Sequence, residues 1–499
     1  MTVGDVPGLI GSASRLSGAD AARSITGVAY DSRAVQPGAI FVALRGQKAD
    51  GTTFAAQAAA RGALAVVAET APPPGVTVAW LQVSDARLAL ALLADRFFGS
   101  PSRQIPVIGV TGTNGKTTTG YLLASVLDAA GLVAGVMGTV SYRIGREERE
   151  ASRTTPEAPD VQQLLAEMIA RGCRSAVMEV SSHALALRRV DGMRFAAAVF
   201  TNLTRDHLDF HADMEQYFAA KRRLFEMLDA SATGVVNADD PRAAALVASC
   251  PRSLTYGISQ TADVMPGPFA LAMGGLTLDI QTPKGAVAIR SSLVGRPNVY
   301  NILAATATAV ALDLPLEAVA RGVRALPGVP GRFEVVSGEG DDVTVVVDYA
   351  HTDDALRNLL ETARPLAAKR LVTVFGCGGD RDTTKRPLMG MVAARLSDIV
   401  IITSDNPRSE DPARIVDDIR RGITPASGAG RQAEVWTVVD RAEAIDRAVS
   451  MASEGDLVLV AGKGHEKYQQ IGDRVLPFDD VAVARDALKR RQAKRMRAG

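Results

Sequence analysis

The chain has 499 residues, of which 47% are hydrophobic and 22% charged, and a formal net charge of +1. That composition is ordinary for a globular protein and long enough for about three domains, each with its own core. It offers no global field to attract nucleic acid or an acidic membrane, and no run of about 18 apolar residues exists to span a bilayer.

The N-terminal "MTVGDVPGLIGSASRL" lacks a basic stretch followed by an apolar one, so no signal peptide is evident. The first unit, residues 1–103, carries short β-like runs in "GVAYDSRAVQPGAIFVALRG" and "GALAVVAE", and ends in the Gly-, Ser- and Pro-containing linker "FFGSPSRQIP". The second unit, 104–331, opens on "IPVIGV", a run that suits a strand buried on both faces. A helical pattern follows, and then the strand candidates "SAVMEV", "FAAAVFTN" and "TGVVNAD". This alternation predicts an α/β domain with a mostly parallel sheet, and the strand-rich stretch 254–293 reads as an antiparallel appendage. The third unit, 332–499, begins after "LPGVPGRFE" and repeats the alternation in "VTVVVDYA", "LVTVFG", "DIVIITSD" and "DLVLVAGKG". The basic end "KRRQAKRMRAG" reads as the close of a helix. The three cysteines, Cys173, Cys250 and Cys377, are odd in number and form no C-x-x-C pair. They argue against a disulfide framework or structural zinc and lead to the expectation of a reducing, cytoplasmic location.

The strongest local signal is "GVTGTNGKTTT", Gly109 to Thr119, between a predicted strand and helix. Gly112 and Gly115 permit a tight turn whose N–H groups, with those of Thr113, Asn114 and Thr118, point at an anion, and the helix dipole adds to the attraction. Lys116 would reach the β/γ-phosphates of ATP, and the Thr117 hydroxyl would hold Mg²⁺. The pattern G-x-x-x-x-G-K-[ST] is not strictly met, because its first glycine falls on Val110. A phosphate loop alone does not separate motors, kinases, GTPases and ligases.

Three further clusters stand at or beyond predicted strand ends. Glu179 in "VMEVSSH" is placed to bind Mg²⁺, or is a solvated strand-end carboxylate. "FTNLTRDHLDFH" gathers Asp206, His207, Asp209 and His211, two of only five histidines in the chain. Lys221 in "YFAAKRRLF" lies on a predicted helix, where a solvated face is the plain alternative.

Taken in order, "GVTGTNGKTTT", "EVSSHAL", "TNLTRDHLDFH", "GRPNVYNILAA", "GRFE" and "VVDYAHTDDAL" resemble the Mur ligase family, ATP-dependent amide-forming enzymes of peptidoglycan precursor synthesis. The resemblance runs from about residue 25 to 485. It implies an α/β fold of three domains: a UDP-substrate-binding N-terminal domain, a central P-loop ATPase with a parallel sheet, and a C-terminal Rossmann-like domain. It implies that Lys116, Lys221 and His207 are catalytic, and that Thr117, Glu179, His207 and Lys221, the last as a carbamate, hold Mg²⁺. Asn301, Arg332 and Asp348 match further nucleotide contacts. Tyr30 and Ser32 in "YDSR", with "GQKADG", resemble a uridine-binding stretch, and Thr154, Thr155, Ser181 and Arg189 match UDP-sugar contacts. At Leu187 this chain departs from a position that is often glutamine in the family, so the resemblance does not carry over the substrate hydrogen bond made there.

The family further implies an acyl phosphate made from ATP and attacked by an amine. "DNPR" (Asp405, Asn406, Pro407, Arg408) resembles the signature of members that add meso-2,6-diaminopimelate to UDP-N-acetylmuramoyl-L-alanyl-D-glutamate, with Arg386, Gly462 and Glu466 completing the amino-acid pocket. Diaminopimelate carries a carboxylate that lysine lacks, and a planar guanidinium can hold it through two hydrogen bonds. The alternative amine is L-lysine. A phosphate-loop motor or switch leaves the His207, Lys221 and "DNPR" clusters unexplained. A monomer, with no nucleic-acid or membrane partner, is expected.

Overall fold

The computed structural model describes residues 1–12, 21–46, 49–423 and 433–498. Four sheets order the chain, with one short hairpin besides. The first is a four-stranded parallel sheet, Gly27–Ala29, Ala39–Val42, Ala65–Ala68 and Ala79–Gln82. Its two middle strands, AIFV and AVVA, are fully buried. The helix Ala86–Phe97, capped by Asp85 accepting from the Leu88 N–H, packs on it and against the helix Ala158–Ala170 of the next unit.

The central sheet has eight strands. Val107–Thr111 lies between Ser175–Glu179 and Ala197–Phe200, all parallel, and Thr233–Asn237 with Ser253–Tyr256 extend the sheet on one side. The inner four, VIGVT, SAVME, AAVF and TGVVN, are buried along their whole length, as strands covered by helices on both faces are, while the edge strand SLTY is partly exposed. On the opposite side Ala134–Met137 runs parallel to Ser175–Glu179, and a hairpin not foreseen from the sequence, Ser141–Ile144 with Glu147–Glu150, extends that edge antiparallel. Its outer strand reads EERE, and such charge suits an exposed edge but hides a strand from a hydrophobicity scan. The expected appendage is narrower than predicted. Ser253–Tyr256 belongs to the parallel sheet, and Met265–Ala272, Gly275–Thr282 and Gly285–Ser291 form a separate antiparallel sheet.

The last large sheet places Thr344–Asp348, Leu457–Ala461, Leu371–Phe375, Ile399–Ile402 and Glu434–Thr437 side by side, all parallel, with Glu334–Val335 antiparallel at the edge. The carboxyl ends of its central strands point to one crevice, where ligands of such sheets bind. The small hairpin Tyr468–Ile471 with Arg474–Pro477 sits beside it. The basic C-terminal run is the end of the helix Asp480–Ala498, tied down by Arg491 and Arg495 on Asp342 and Arg490 on Asp446. All three cysteines are free, and among the described residues no helix is long and apolar enough to cross a membrane.

Candidate active site

The phosphate loop joins the strand Val107–Thr111 to the helix Lys116–Ala129. Gly112 adopts φ +147°, and a Cβ there would lie 1.8 Å from Thr201 Oγ1. The tight turn therefore rests on Gly112, and Val110, where the usual pattern has glycine, is a buried residue of the preceding strand. Thr113 N–H donates to Asn202 O at 2.8 Å and Asn114 N–H to Asn202 Oδ1 at 2.9 Å, so the loop is clamped by the next strand's end. Asn301 accepts from Thr119 Oγ1 at 3.3 Å and stands against Gly115, where a Cβ would lie 2.5 Å from its Oδ1. Thr118 is buried in the first turn of the helix.

Two lysines converge on one carbonyl. Lys116 Nζ donates to Gly112 O at 2.9 Å and Thr113 O at 2.7 Å, and Lys221 Nζ donates to the same Gly112 O at 2.7 Å. Lys221 is not on a solvated helix face. It shares the buried side of the helix Met214–Glu226 with Tyr217, Leu224 and Phe225, at helical spacing. Burial, and then the neighbouring Lys116 charge, hold its amine well below the usual lysine range; burial lowers Lys116 as well.

Glu179 closes the strand Ser175–Glu179 and is 3% exposed, so it is no solvated carboxylate. Its oxygens accept from Thr139 N–H at 2.8 Å and Thr139 Oγ1 at 3.0 Å. His207 sits at φ +56° and donates its N–H to Asp206 Oδ1 at 2.8 Å. Its ring meets His183 edge-on at 4.8 Å, and burial lowers its pKa to about 3. The Thr117 hydroxyl and the Glu179 carboxylate are oxygen donors of the kind Mg²⁺ takes, and the neutral His207 ring keeps a nitrogen lone pair. An ammonium at Lys221 contributes nothing to it. Among the described residues no group of three or more His, Cys, Asp or Glu side chains is arranged to hold a metal unaided.

The third unit reaches into this site. Arg332 Nη2 donates to Thr117 Oγ1 at 3.1 Å while its guanidinium stacks 4.5 Å from the Tyr349 ring centre. Asp348 accepts from Phe333 N–H and Ala350 N–H, and burial raises its pKa. Asn114 donates to Asp354 at 2.9 Å, and Arg205 pairs with Asp382 at 2.7 Å.

Next to Glu179, Thr155 Oγ1 donates to Glu179 O at 2.9 Å and receives Ser181 N–H at 3.1 Å. Thr154 meets Thr139 hydroxyl to hydroxyl at 3.0 Å. Arg189 donates to Thr155 O at 2.9 Å and pairs with Glu157 at 2.7 Å, and its Nε is buried with no hydrogen-bond partner among the described residues. Tyr30 OH donates to Asp160 at 2.8 Å, bringing the first unit onto the helix that begins next to Glu157. Ser32 is different: its hydroxyl is buried and donated to Gln57 at 2.7 Å within the first unit. Of "GQKADG", Gln47 and Lys48 lie outside the described residues.

The "DNPR" loop follows the strand Ile399–Ile402 at the crevice of the last sheet. Asp405 accepts from Asn406 N–H at 2.7 Å, and Pro407 O accepts from Glu410 N–H at 3.0 Å. Arg408 takes φ +52° and gives Nη1 to Gly379 O at 2.6 Å. It has no carboxylate within ion-pair distance among the described residues. Gly462, at φ +119°, approaches Asp405 so closely that a Cβ would lie 2.7 Å from Oδ2. Glu466 Oε2 accepts from Asn406 Nδ2 at 2.9 Å. Arg386 belongs to the same wall, but its guanidinium is buried and taken up by Glu410 and Asp418, so it meets a ligand only if that network opens. Sequence reasoning missed Glu410 and Asp418, since nothing local marks a charge whose partner Arg386 lies tens of residues away, and it missed Lys463, whose burial beside Asn406 no local signal shows. It also missed the fully buried Arg441–Asp480 pair, which holds Ser404 O and Ala461 O, the ends of the two strands that carry the pocket loops.

Family models match most of the chain: the Mur ligase family catalytic domain over residues 24–98, the Mur ligase middle domain over 110–309, and the Mur ligase glutamate ligase domain over 331–464. A curated relative from Solibacter usitatus (strain Ellin6076), named UDP-N-acetylmuramoyl-L-alanyl-D-glutamate–2,6-diaminopimelate ligase, is 52% identical over 471 residues, covering 93% of this chain and 94% of that protein. A relative of the same name from Gloeobacter violaceus is 48% identical over 94% of this chain and 95% of its own. A solved structure bearing that name aligns with a TM-score of 0.70 at 36% identity, over 99% of this chain and 100% of its own. With its phosphate loop, paired lysines and "DNPR" crevice, this chain belongs to the Mur ligase family.

Proposed function

We propose that this chain joins meso-2,6-diaminopimelate to UDP-N-acetylmuramoyl-L-alanyl-D-glutamate, with ATP as co-substrate, in the cytoplasm. The observation that carries the choice of amine is Arg408, a guanidinium at the strand-end crevice with no carboxylate of its own. Diaminopimelate brings one, and L-lysine does not. The division into units 1–103, 104–331 and 332–499 is part of this reading, supported by a separate sheet in each.

A carboxylate is a poor acylating agent because its oxygen leaves badly. Transfer of the terminal phosphoryl group of ATP to the substrate carboxylate gives an acyl phosphate. The diaminopimelate amine attacks the carbonyl carbon, the C–O bond to phosphate breaks, and an amide and inorganic phosphate result. The loop amides around Gly112 and the Lys116 ammonium offset negative charge on the moving phosphoryl group. Thr117, Glu179 and His207 would hold Mg²⁺, which neutralises phosphate charge when bound. Lys221 completes that set only as a carbamate. Its depressed basicity supports this, because the free amine is the form that adds CO₂, losing a proton and becoming an anion. The exchange also sets an anion, in place of a second basic nitrogen, beside Lys116. Contacts of Asn114 with Asp354 and Arg205 with Asp382 support closure over the reacting groups, which orients amine and acyl phosphate and excludes water.

The test is phosphate release with ATP and the UDP-dipeptide, comparing meso-diaminopimelate with L-lysine. Turnover is expected with the former and little with the latter. Equal use of both, or ATP turnover with no amine present, would overturn the reading.

A further inference from the structure

Lys463 lies between Gly462 and Gly464 on the loop after the strand Leu457–Ala461, and none of its side chain is exposed. A buried ammonium is tolerated only where partners surround it. Here Nζ donates to Glu466 Oε2 at 2.9 Å and Asn406 Oδ1 at 3.1 Å, and stands 5.3 Å from the Tyr468 ring centre. Asn406 Nδ2 donates in turn to the same Glu466 Oε2 at 2.9 Å. The three side chains close a triangle. Gln470 N–H adds a fourth bond, to Asn406 Oδ1 at 2.9 Å, from the hairpin whose backbone also takes Arg408 N–H and returns Gly472 N–H to Arg408 O.

Two consequences follow. The amide of Asn406 can point only one way, with its oxygen toward Lys463. The Glu466 carboxylate has one oxygen committed to protein donors, while Oε1 takes no hydrogen bond from the described residues and faces the outcome of binding alone. Glu466 is thus a carboxylate already half neutralised by a cation of the protein itself.

We propose that Lys463 is a positioning residue for amine selectivity: it fixes Asn406 and Glu466 at a set spacing from Arg408 and weakens Glu466 as a site for a lone ammonium. A ligand head that carries both ammonium and carboxylate engages Glu466 and Arg408 together. A head that carries only an ammonium meets a carboxylate whose charge is already shared. Discrimination against L-lysine then comes from Lys463 as well as from Arg408. This inference rests on the proposed diaminopimelate reading.

Lys463→Met keeps the length and apolar stem and removes the charge. The expected result is a KM for meso-diaminopimelate raised roughly tenfold, the size of one charge-assisted hydrogen bond, with KM for ATP and for the UDP-dipeptide unchanged. The preference over L-lysine should narrow, because only diaminopimelate depends on Glu466 and Arg408 being held at a set spacing. Lys463→Gln, which keeps a donor without charge, should recover part of the diaminopimelate KM while leaving the preference narrowed. It carries the test if the Met variant fails to give a cooperative melt. A folded variant with wild-type diaminopimelate KM and wild-type preference overturns the proposal, as does an equal loss for all three substrates. The wild-type enzyme, assayed alongside, separates this from failure of the reading itself: no preference in the wild type sinks the diaminopimelate assignment, not the role of Lys463.

Discussion

Arg408→Ala probes the amino-acid pocket most directly. In the wild-type chain Arg408 commits one of its five N–H donors, to Gly379 O at 2.6 Å, which leaves a two-pronged face for a ligand carboxylate. Two charge-assisted hydrogen bonds to a half-buried guanidinium, discounted for competing water, are worth about 2–3 kcal/mol, a rise in diaminopimelate KM of roughly 30–150-fold. L-lysine has no distal carboxylate, so its KM should not move, and the preference between the two amines should collapse by the same factor. The fold should tolerate the change. Arg408 already sits at φ +52°, where alanine bears the same left-handed cost, and Gly379 O can turn to water, so the stability loss stays below about 1 kcal/mol. Arg408→Lys keeps the charge but loses the fork and should recover only part of the KM. The assay is phosphate release at saturating ATP and UDP-dipeptide with either amine varied. An Arg408→Ala enzyme that retains the wild-type diaminopimelate KM and preference would refute the assignment of the carboxylate to this guanidinium.

Gly112→Ala should introduce roughly 1–3 kcal/mol of backbone strain and a clash with Thr201 Oγ1, read by calorimetry as weakened ADP binding with the melt of the chain largely retained; unchanged ADP affinity would rule out the loop as the phosphate seat. Lys221→Met should abolish turnover, and wild-type protein in ¹³C-labelled bicarbonate should show a carbamate carbon that the variant lacks; a variant with full activity would remove Lys221 from the chemistry. Asp480→Ala leaves the fully buried Arg441 unpaired and should cost about 3–5 kcal/mol in urea unfolding, whereas a loss under about 1 kcal/mol would mean the pair is easily replaced by water. Burial lowers the His465 pKa to about 3, below the ordinary value of 6.5, so the unfolded chain binds its proton first. Its contribution therefore destabilises the fold as pH falls from 6.5 toward 3, and the melting temperature of His465→Gln should depend less steeply on pH between 7 and 5 than that of the wild type.

Much of this architecture was legible in the chain because its signals are local. Runs such as VIGVT and LVLVA announce strands buried on both faces, and Gly-Lys-Thr at a strand-to-helix turn announces an anion seat even with Val110 out of pattern. The charged edge strand Glu147–Glu150 escaped notice because its residues answer to solvent and not to a core. The orientation of Lys221 was ambiguous by composition and became plain only when Tyr217, Leu224 and Phe225 showed which side of the helix is inside. Lys463, Arg441 with Asp480, and Arg386 with Glu410 and Asp418 were illegible for another reason. The Arg441 and Arg386 charges are made tolerable by partners that the fold, not the sequence neighbourhood, delivers, and Lys463, though its carboxylate partner Glu466 is three residues away, is completed by the distant Asn406.

The bond from Arg332 to Thr117 Oγ1 crosses the joint between the second and third units. A cation drawn to that hydroxyl must share it with a guanidinium, and like charges so close repel. By thermodynamic reciprocity, whatever favours the bond loosens the cation, and whatever seats the cation loads the joint. A cation seated at Thr117 would therefore compete with the hydrogen bond that Arg332 makes to the phosphate-loop helix, so occupancy of the nucleotide seat and this bond across the joint would be linked.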